Sequence, residues 1–261
     1  MNNVSLLNIA SLIPFSAFLL FLLLQYLRPR RDLARSGINR ILHNLFLFVV
    51  NTLVMRLLVP ITLIACSEWA YVREVGLFNM LYLSPWIVVP VCVVFMDFAI
   101  YWQHVATHKF AWLWRLHKVH HADHDMDVTT AIRFHPFELI LSMIYKGTLV
   151  ILLGIPLVAV VLFELLLFVG PAFNHSNLKL PGWLDRSLRW VIATPDMHRV
   201  HHSVIVAEQN TNYGFFLVWW DKLFNTYTRQ PASEHTDMAI GLENGERDCE
   251  RVDQMLVAPF R

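Results

Sequence analysis

The sequence predicts an all-α integral membrane protein: a helical bundle of about five spans, including a hairpin, beneath a helical, histidine-rich cytoplasmic cap. Three observations carry this reading. The 261-residue chain is 56% hydrophobic and only 16% charged. Its apolar runs reach the roughly 20 residues that a membrane helix needs. Nine histidines fall into four short clusters, HVATH, HKVHH, NHSN and HRVHH, all after the third apolar run.

The first span runs from Val4 to Leu27 without a charge. It lacks a basic leading segment and a small-residue cleavage site, as expected of an uncleaved anchor. Arg28, Arg30, Arg31, Arg35 and Arg40 then crowd the following loop against one acid, Asp32. The positive-inside rule puts that loop in the cytoplasm and the amino terminus on the opposite side. Further apolar runs from roughly Ile41 to Cys66 and from Leu77 to Tyr101 make a second and third span, and the third delivers His104 to His135 to the cytoplasmic face. The stretch from Leu139 to Phe173 is either one long span or a hairpin turning near Gly154 and Pro156. Histidines on both sides of it can share metals only if it crosses an even number of times, which predicts the hairpin. Lys146 and Glu164 within it should face the bundle or snorkel; Arg56 in the second span raises the same difficulty and has no evident partner.

After Asn174 the chain is mixed and polar, with a helix expected through Leu184 to Ile192. Trp219, Trp220, Phe224 and Tyr227 are expected against the bundle or at the membrane interface, where such rings concentrate. From Arg229 the charges of both signs read as a solvated tail. The division is therefore 1–96 for an N-terminal transmembrane region, its third span continuing to about 101, 97–228 for the histidine-bearing domain with its hairpin at 139–173, and 229–261 for a polar tail. A net charge of +1 gives no electrostatic case for nucleic acid. Cys66, Cys92 and Cys249 are widely separated, so neither a disulfide framework nor a thiolate metal site is implied.

The clusters supply His104, His108, His117, His120, His121, His175, His198, His201 and His202. Residues three and four apart share a helix face, so each cluster offers two or three nitrogens to one place. One metal takes about four ligands, and nine imidazoles therefore favour a dinuclear centre; ligand type alone leaves iron, copper, zinc and nickel open. HxxHH lacks the glutamate that serves as base in HExxH zinc proteases, which disfavours hydrolysis. His43 and His235 stand alone and read as ordinary residues. His124 in HADHD and His135 in RFHP are each a further ligand, a supporting donor or a loop residue. Ligand imidazoles normally need a partner for their second nitrogen. Asp97, seven residues before His104, is a candidate, as are Asp123, Asn174 and Asp196, with Asp127, Asn177 and Asn212 behind them.

DFAIYWQHVATH, LHKVHHADHDMDVTTAIRFHP, FNHSN, TPDMHRVHH and NYGFFLVWWDKLFNTY together resemble the fatty acid hydroxylase and sterol desaturase superfamily in bacterial form, over roughly Asp97 to Tyr227. The resemblance implies a membrane-embedded, non-haem diiron oxygenase with the nine clustered histidines as ligands, a cytoplasmic active site, in a bacterium at the inner membrane, and a lipid substrate held by the helices. Two iron ions and O2 would supply the chemistry of attack on an unactivated C–H bond. Some members carry a second histidine four residues after the position of His175; here that residue is Lys179, so a tenth nitrogen would come from His135 or His124, or be replaced by water or Asn174. No flavin or nucleotide glycine fingerprint and no haem motif is present, so electrons are expected from a separate donor, a ferredoxin or a cytochrome with its reductase. Hydroxylation of a fatty acyl, sterol or related lipid is the reading preferred; a sterol or acyl desaturase on the same centre and a non-catalytic membrane metal-binding protein are the alternatives.

Overall fold

The computed structural model describes residues 3–33, 37–81, 83–243 and 249–261, with side chains from Leu12 onward; Arg35 of the basic loop lies outside them. Among the described residues all regular structure is helical. Helix α1 (Asn3–Leu27), α2 (Ile38–Leu58), α3 (Leu63–Val72), α4 (Leu77–Met80), α5 (Pro85–Lys109), α6 (Ala111–His121), α7 (Pro136–Leu153) and α8 (Leu157–Asn174) build the bundle and the first part of the cap. Short helices α9 (Gly182–Leu188), α10 (Pro195–His201), α11 (Val206–Gln209), α12 (Trp219–Leu223) and α13 (Val252–Val257) complete it. Four stretches have the length and hydropathy of a membrane span: Ile38–Met80, Pro85–Lys109, Pro136–Leu153 and Leu157–Asn174. The 25-residue α1 adds a further apolar helix. The chain is an integral membrane protein.

Local chemistry sets the breaks. The second apolar run is not one helix to Cys66: α2 stops at Leu58 because Pro60 disfavours helical backbone at Val59. Helix α3 restarts under a Thr62 cap, whose hydroxyl accepts the Ala65 amide at 3.1 Å. The third span likewise begins later, with Pro85 in the first turn of α5, and continues past Tyr101 to Lys109, so His104 and His108 ride on the spanning helix itself. The hairpin is present. Helix α7 ends at Gly154 in the left-handed region (φ +65°), and a Cβ there would lie 2.7 Å from Asn79 Nδ2 and 2.9 Å from the Val75 carbonyl.

The two hairpin helices bring residues 135 and 175 back to the same end of the bundle. Helix α1 runs along α8, with Phe18 against Phe168 and Phe21 against Phe173, and Gln25 Oε1 accepts the amides of Val128 and Asn177, both at 3.0 Å. The loop after α1 belongs to that end as well: Arg30 pairs with Asp196 at 3.0 Å, and Arg40 with Asp123 at 2.8 Å and with Asp127. Basic residues that read as a topology signal are thus also structural fasteners of the cap.

The residues from 229 onward are not a solvated tail. Cys249, Val252, Met255 and Ala258 bury against Leu47, Val119 and Ala122, and Met238 and Ile240 against Met126. Each fully buried side chain of this kind stabilises the fold by about 1.5–3 kcal/mol. Arg133 fastens the layer: it donates to the Val119 carbonyl at 2.8 Å, to Asn44 Oδ1 at 3.0 Å and to the Cys249 carbonyl. Helix α9 also ends earlier than the sequence suggests, at Leu188.

Candidate metal centre

All nine clustered histidines meet beneath the cap, in two groups. His104, His108, His117, His121 and His201 form one; His120, His175, His198 and His202 form the other; within each, one nitrogen per residue lies within 4.8 Å of all the rest. Ligands on opposite sides of one ion at metal–nitrogen distances near 2.1 Å stand about 4.2 Å apart, so each group has the dimensions of a single-ion site. The groups adjoin, with the His121 and His202 rings stacked at 4.4 Å.

Helical periodicity explains the sorting. In HKVHH the i,i+4 pair His117 and His121 faces the five-membered group, and His120 turns to the other. In HRVHH the i,i+4 pair His198 and His202 faces the four-membered group, and His201 crosses over. The echo between the motifs is therefore an exchange of roles. The extended turn at Phe110 between α5 and α6 folds His117 and His121 back onto His104 and His108. Pro195 opens α10 and delivers the last three histidines.

Five imidazoles are held through Nδ1. His117 meets Glu138 Oε1 at 2.7 Å, and His104, His120, His175 and His201 meet the carbonyls of Tyr213, Arg133, Pro171 and Thr211 at 2.7, 3.2, 2.8 and 2.7 Å. A neutral imidazole that donates from Nδ1 presents a lone pair at Nε2. The Nε2 atoms of His120 and His175 face each other at 3.0 Å, where two lone pairs make no hydrogen bond and only a cation reconciles them. In the five-membered group, the Nε2 atoms of His104, His108, His117, His121 and His201 are buried with no partner. The donor set fits metal ions.

The cap keeps six of the nine rings neutral. Burial, reinforced by neighbouring imidazoles, pushes His120, His121, His198 and His202 well below the ordinary histidine range. Burial likewise takes His175 to about 4 and His201 to about 3. Neutral imidazole is the ligating form.

The acids and amides named from sequence have other partners. Asp97 accepts Trp220 Nε1 at 2.6 Å and the Leu217 amide at 3.4 Å, pinning α5 to the NYGFFLVWW segment that carries the Tyr213 carbonyl. Asp123 holds Arg40, Asn44 and Thr130; burial opposes its charge, but Arg40 and Arg133 outweigh burial and hold the carboxyl below its ordinary value. Asp127 caps the 3-10 turn Val128–Ile132. Asn174 donates to the Phe215 carbonyl at 2.7 Å, Asn177 to the Arg31 carbonyl at 2.8 Å, and Asn212 to the Met197 carbonyl at 3.0 Å. Asp196 holds Arg30 and Arg199.

His135 caps α7 by accepting the Phe137 amide at 3.2 Å, His124 packs against Gly241, and neither joins the two groups; nor do His43 and His235. Lys179 is exposed. The carboxylate that reaches a clustered imidazole is Glu138, which sequence reasoning missed; its signal was an acid in the first turn of an otherwise apolar helix.

A cavity of about 490 Å³ opens from this centre into the bundle, touching His104 and His117 of one group and His120, His175 and His198 of the other, with walls that include Ile100, Leu139 and Leu167. Metal-type donor sets therefore border a space of a size and lining suited to an alkyl chain.

The chain has relatives of known name. The chain is similar to the ornithine lipid hydroxylase of Rhizobium tropici, 35% identical over 149 residues, covering 56% of this chain and 44% of that protein. It is 28% identical over 172 residues to the alkylglycerol monooxygenase of Homo sapiens, covering 63% and 36%. It is 29% identical over 173 residues to a very-long-chain aldehyde decarbonylase of Oryza sativa subsp. indica, covering 60% and 25%. The chain thus spans less than half the length of these relatives. No solved structure matches it. The sequence model described as fatty acid hydroxylase matches residues 89–226, more than half of the chain and all nine clustered histidines, and the chain belongs to that family.

Proposed function

We propose that this chain is a membrane-bound, non-haem diiron hydroxylase that uses O2 to oxidise a C–H bond of a lipid held among its helices. The observation that carries the proposal is the convergence of nine imidazoles, with no thiolate among them, into adjoining groups of five and four at the mouth of an apolar cavity. Nitrogen donors suit iron, and two iron ions would supply O2 activation and hydrogen abstraction. The chain's own residues do the rest. The Nδ1 tethers aim the Nε2 lone pairs, burial keeps His120, His121, His175, His198, His201 and His202 unprotonated, and Ile100, Leu139 and Leu167 hold an alkyl chain beside the histidines while excluding water. The printed names of the Rhizobium and human relatives, a hydroxylase and a monooxygenase, support hydroxylation as the outcome.

On this reading residues 97–228 carry the centre, the nine histidines are the ligands, and the cap faces the cytoplasm of a bacterial inner membrane, as the basic loop at the same end of the bundle supports. A separate donor, a ferredoxin or a cytochrome with its reductase, supplies electrons there. The test is metal analysis of anaerobically purified protein joined to oxygen uptake on a bacterial lipid extract. A product heavier by one oxygen is expected. A product lighter by two hydrogens would replace hydroxylation with desaturation, and metal without oxygen uptake under reducing conditions would overturn the enzyme reading.

A further inference from the structure

The cavity beside the histidines is not uniformly apolar. Asn51, Thr52 and Arg56 of α2, Gln103 of α5, and Ser142 and Lys146 of α7 all line it. Most of these have partners inside the protein. Ser142 donates to Gln103 Oε1 at 3.2 Å, and Lys146 interacts electrostatically with Glu164 across the hairpin. Apart from the histidines and Glu138, whose Oε2 beside His117 is also buried without a partner, two groups are left over. Asn51 is 3% exposed and its Nδ2 donates to the Phe134 carbonyl at 2.9 Å, yet its Oδ1 is buried without a partner. Arg56, in the last turn of α2 and exposed on one side, lines the cavity and has no hydrogen bond or ion pair with any described residue. A guanidinium in a spanning helix is costly unless something pairs with it, and a buried orphan acceptor is costly in the same way.

Placement gives these two groups a common use. Asn51 is bound to Phe134, whose ring stacks on His120 at 4.5 Å and 5°, so Asn51 stands level with the four-imidazole group. Arg56 follows five residues later, about 7–8 Å along α2, and a helical side chain leans back towards its own amino-terminal turn. The two lie about 140° apart around α2, yet both line this one cavity, so a ligand polar group that fills it can reach both.

We propose that Arg56 and Asn51 form a polar-group site within the lipid cavity and select an acidic lipid, one that sets a carboxylate or phosphate oxygen on the Arg56 guanidinium and an N–H or O–H of the same polar group on Asn51 Oδ1. A planar guanidinium matches either anion, and because Lys146 has the opposite charge of Glu164 across the hairpin, Arg56 is, among the described residues, the cation of the cavity left without a counter-charge. The inference rests on reading this cavity as the lipid site.

The test uses the full-length protein in neutral maltoside micelles, with lipids competing against a fluorescent fatty alcohol. Palmitate and lysophosphatidate should bind at least about tenfold more tightly than methyl palmitate, the yield of one charge-assisted hydrogen bond. N-palmitoylglycine, which adds an N–H, should bind more tightly than palmitate. Arg56→Met should erase the preference for both acids, Arg56→Lys should keep part of it, and Asn51→Leu should erase only the advantage of N-palmitoylglycine. Whichever acid binds more tightly identifies the anion. If Arg56→Met leaves the acid-to-ester ratio unchanged, Arg56 merely snorkels to the surface and the site is overturned. Iron-loaded turnover in the same preparation separates the two proposals: oxygenated product with Arg56-insensitive binding sinks the site alone, and Arg56-dependent binding with no product sinks the hydroxylase reading alone.

Discussion

Glu138 offers the sharpest test of the candidate centre, because its carboxylate tethers a clustered imidazole at Nδ1, whereas the other four Nδ1 tethers end on backbone carbonyls. Its Oε1 lies 2.7 Å from His117 Nδ1 and its side chain is almost wholly buried. A hydrogen bond to a charged acceptor contributes about 1.5–3 kcal/mol and a neutral one about 0.5–1.5 kcal/mol. Glu138→Gln keeps an acceptor and loses the charge, a change of about 1–1.5 kcal/mol, or roughly tenfold in metal affinity. Glu138→Ala also frees the ring to rotate and should approach the roughly 100-fold upper range for loss of a ligand's supporting partner. His117 belongs to the five-imidazole group, so the loss should fall on one of two ions. Iron titration against a competing chelator, followed by Mössbauer spectroscopy of each loading step, would show one site weakened and the other unchanged. Equal loss at both sites, or wild-type affinity in Glu138→Ala, would refute the assignment of His117 and the role of its tether.

Three further outcomes follow from the same geometry. Purified protein should carry about two irons per chain, since each group suits one ion; His201→Ala should weaken the five-imidazole site and His120→Ala the four-imidazole site, with turnover lost in both, and a single tightly bound metal in the wild type would contradict this. Metal-free protein should be acid-labile. Folded His175 and His201 sit at about 4 and about 3, below the unfolded value of about 6.5, so their stability is fully present above pH 6.5 and falls as pH drops towards 4. The slope is about 1.4 kcal/mol per pH unit for each ring, and a metal-free melting temperature that stayed flat from pH 7 to pH 5 would exclude buried neutral rings. Accessibility tags after His124 and after Asn177 should report one side of the membrane and a tag at the amino terminus the other; tags at 124 and 177 on opposite sides would break the hairpin and with it the shared centre.

Much of this was legible in the sequence because two periodicities act on strongly contrasting residue types. Uncharged runs mark spans whatever their partners, and HxxHH can place its rings on one helical face whatever lies opposite. The hairpin was legible for a different reason: Gly154 and Pro156 interrupt an apolar run, and chemistry on both sides of it demands a return. What escaped were contacts that depend on where elements meet. Glu138 looks like any acid in the first turn of a helix until α6 lays His117 against it. Arg133 is one arginine among many until Asn44, Val119 and Cys249 converge on it from three separate segments. The final 30 or so residues look solvated because charges separate Cys249, Val252 and Met255, and their burial follows from the groove that Leu47, Val119 and Ala122 present.

The division into five and four imidazoles has a physical origin in the connections between clusters. On the five-membered side, α5 and α6 are consecutive helices joined by a one-residue break at Phe110, so two i,i+4 pairs face each other and His201 completes the set. On the four-membered side, the end of α8 takes the place of α5, and the chain leaves its helix at Asn174; His175 lies in the cap rather than on a continuing face. A fourth-residue partner would then have to come from position 179, where Lys179 instead points to the surface and its backbone amide bonds the Arg28 carbonyl at 2.9 Å. The lower ligand count thus follows from the early end of α8, which also lets Asn177 bind the loop after α1. The group with fewer imidazoles is also the one level with Asn51. The asymmetry of the pair therefore sets the group with fewer imidazoles, through His120, His175 and His198, and the group with more, through His104 and His117, against the same cavity.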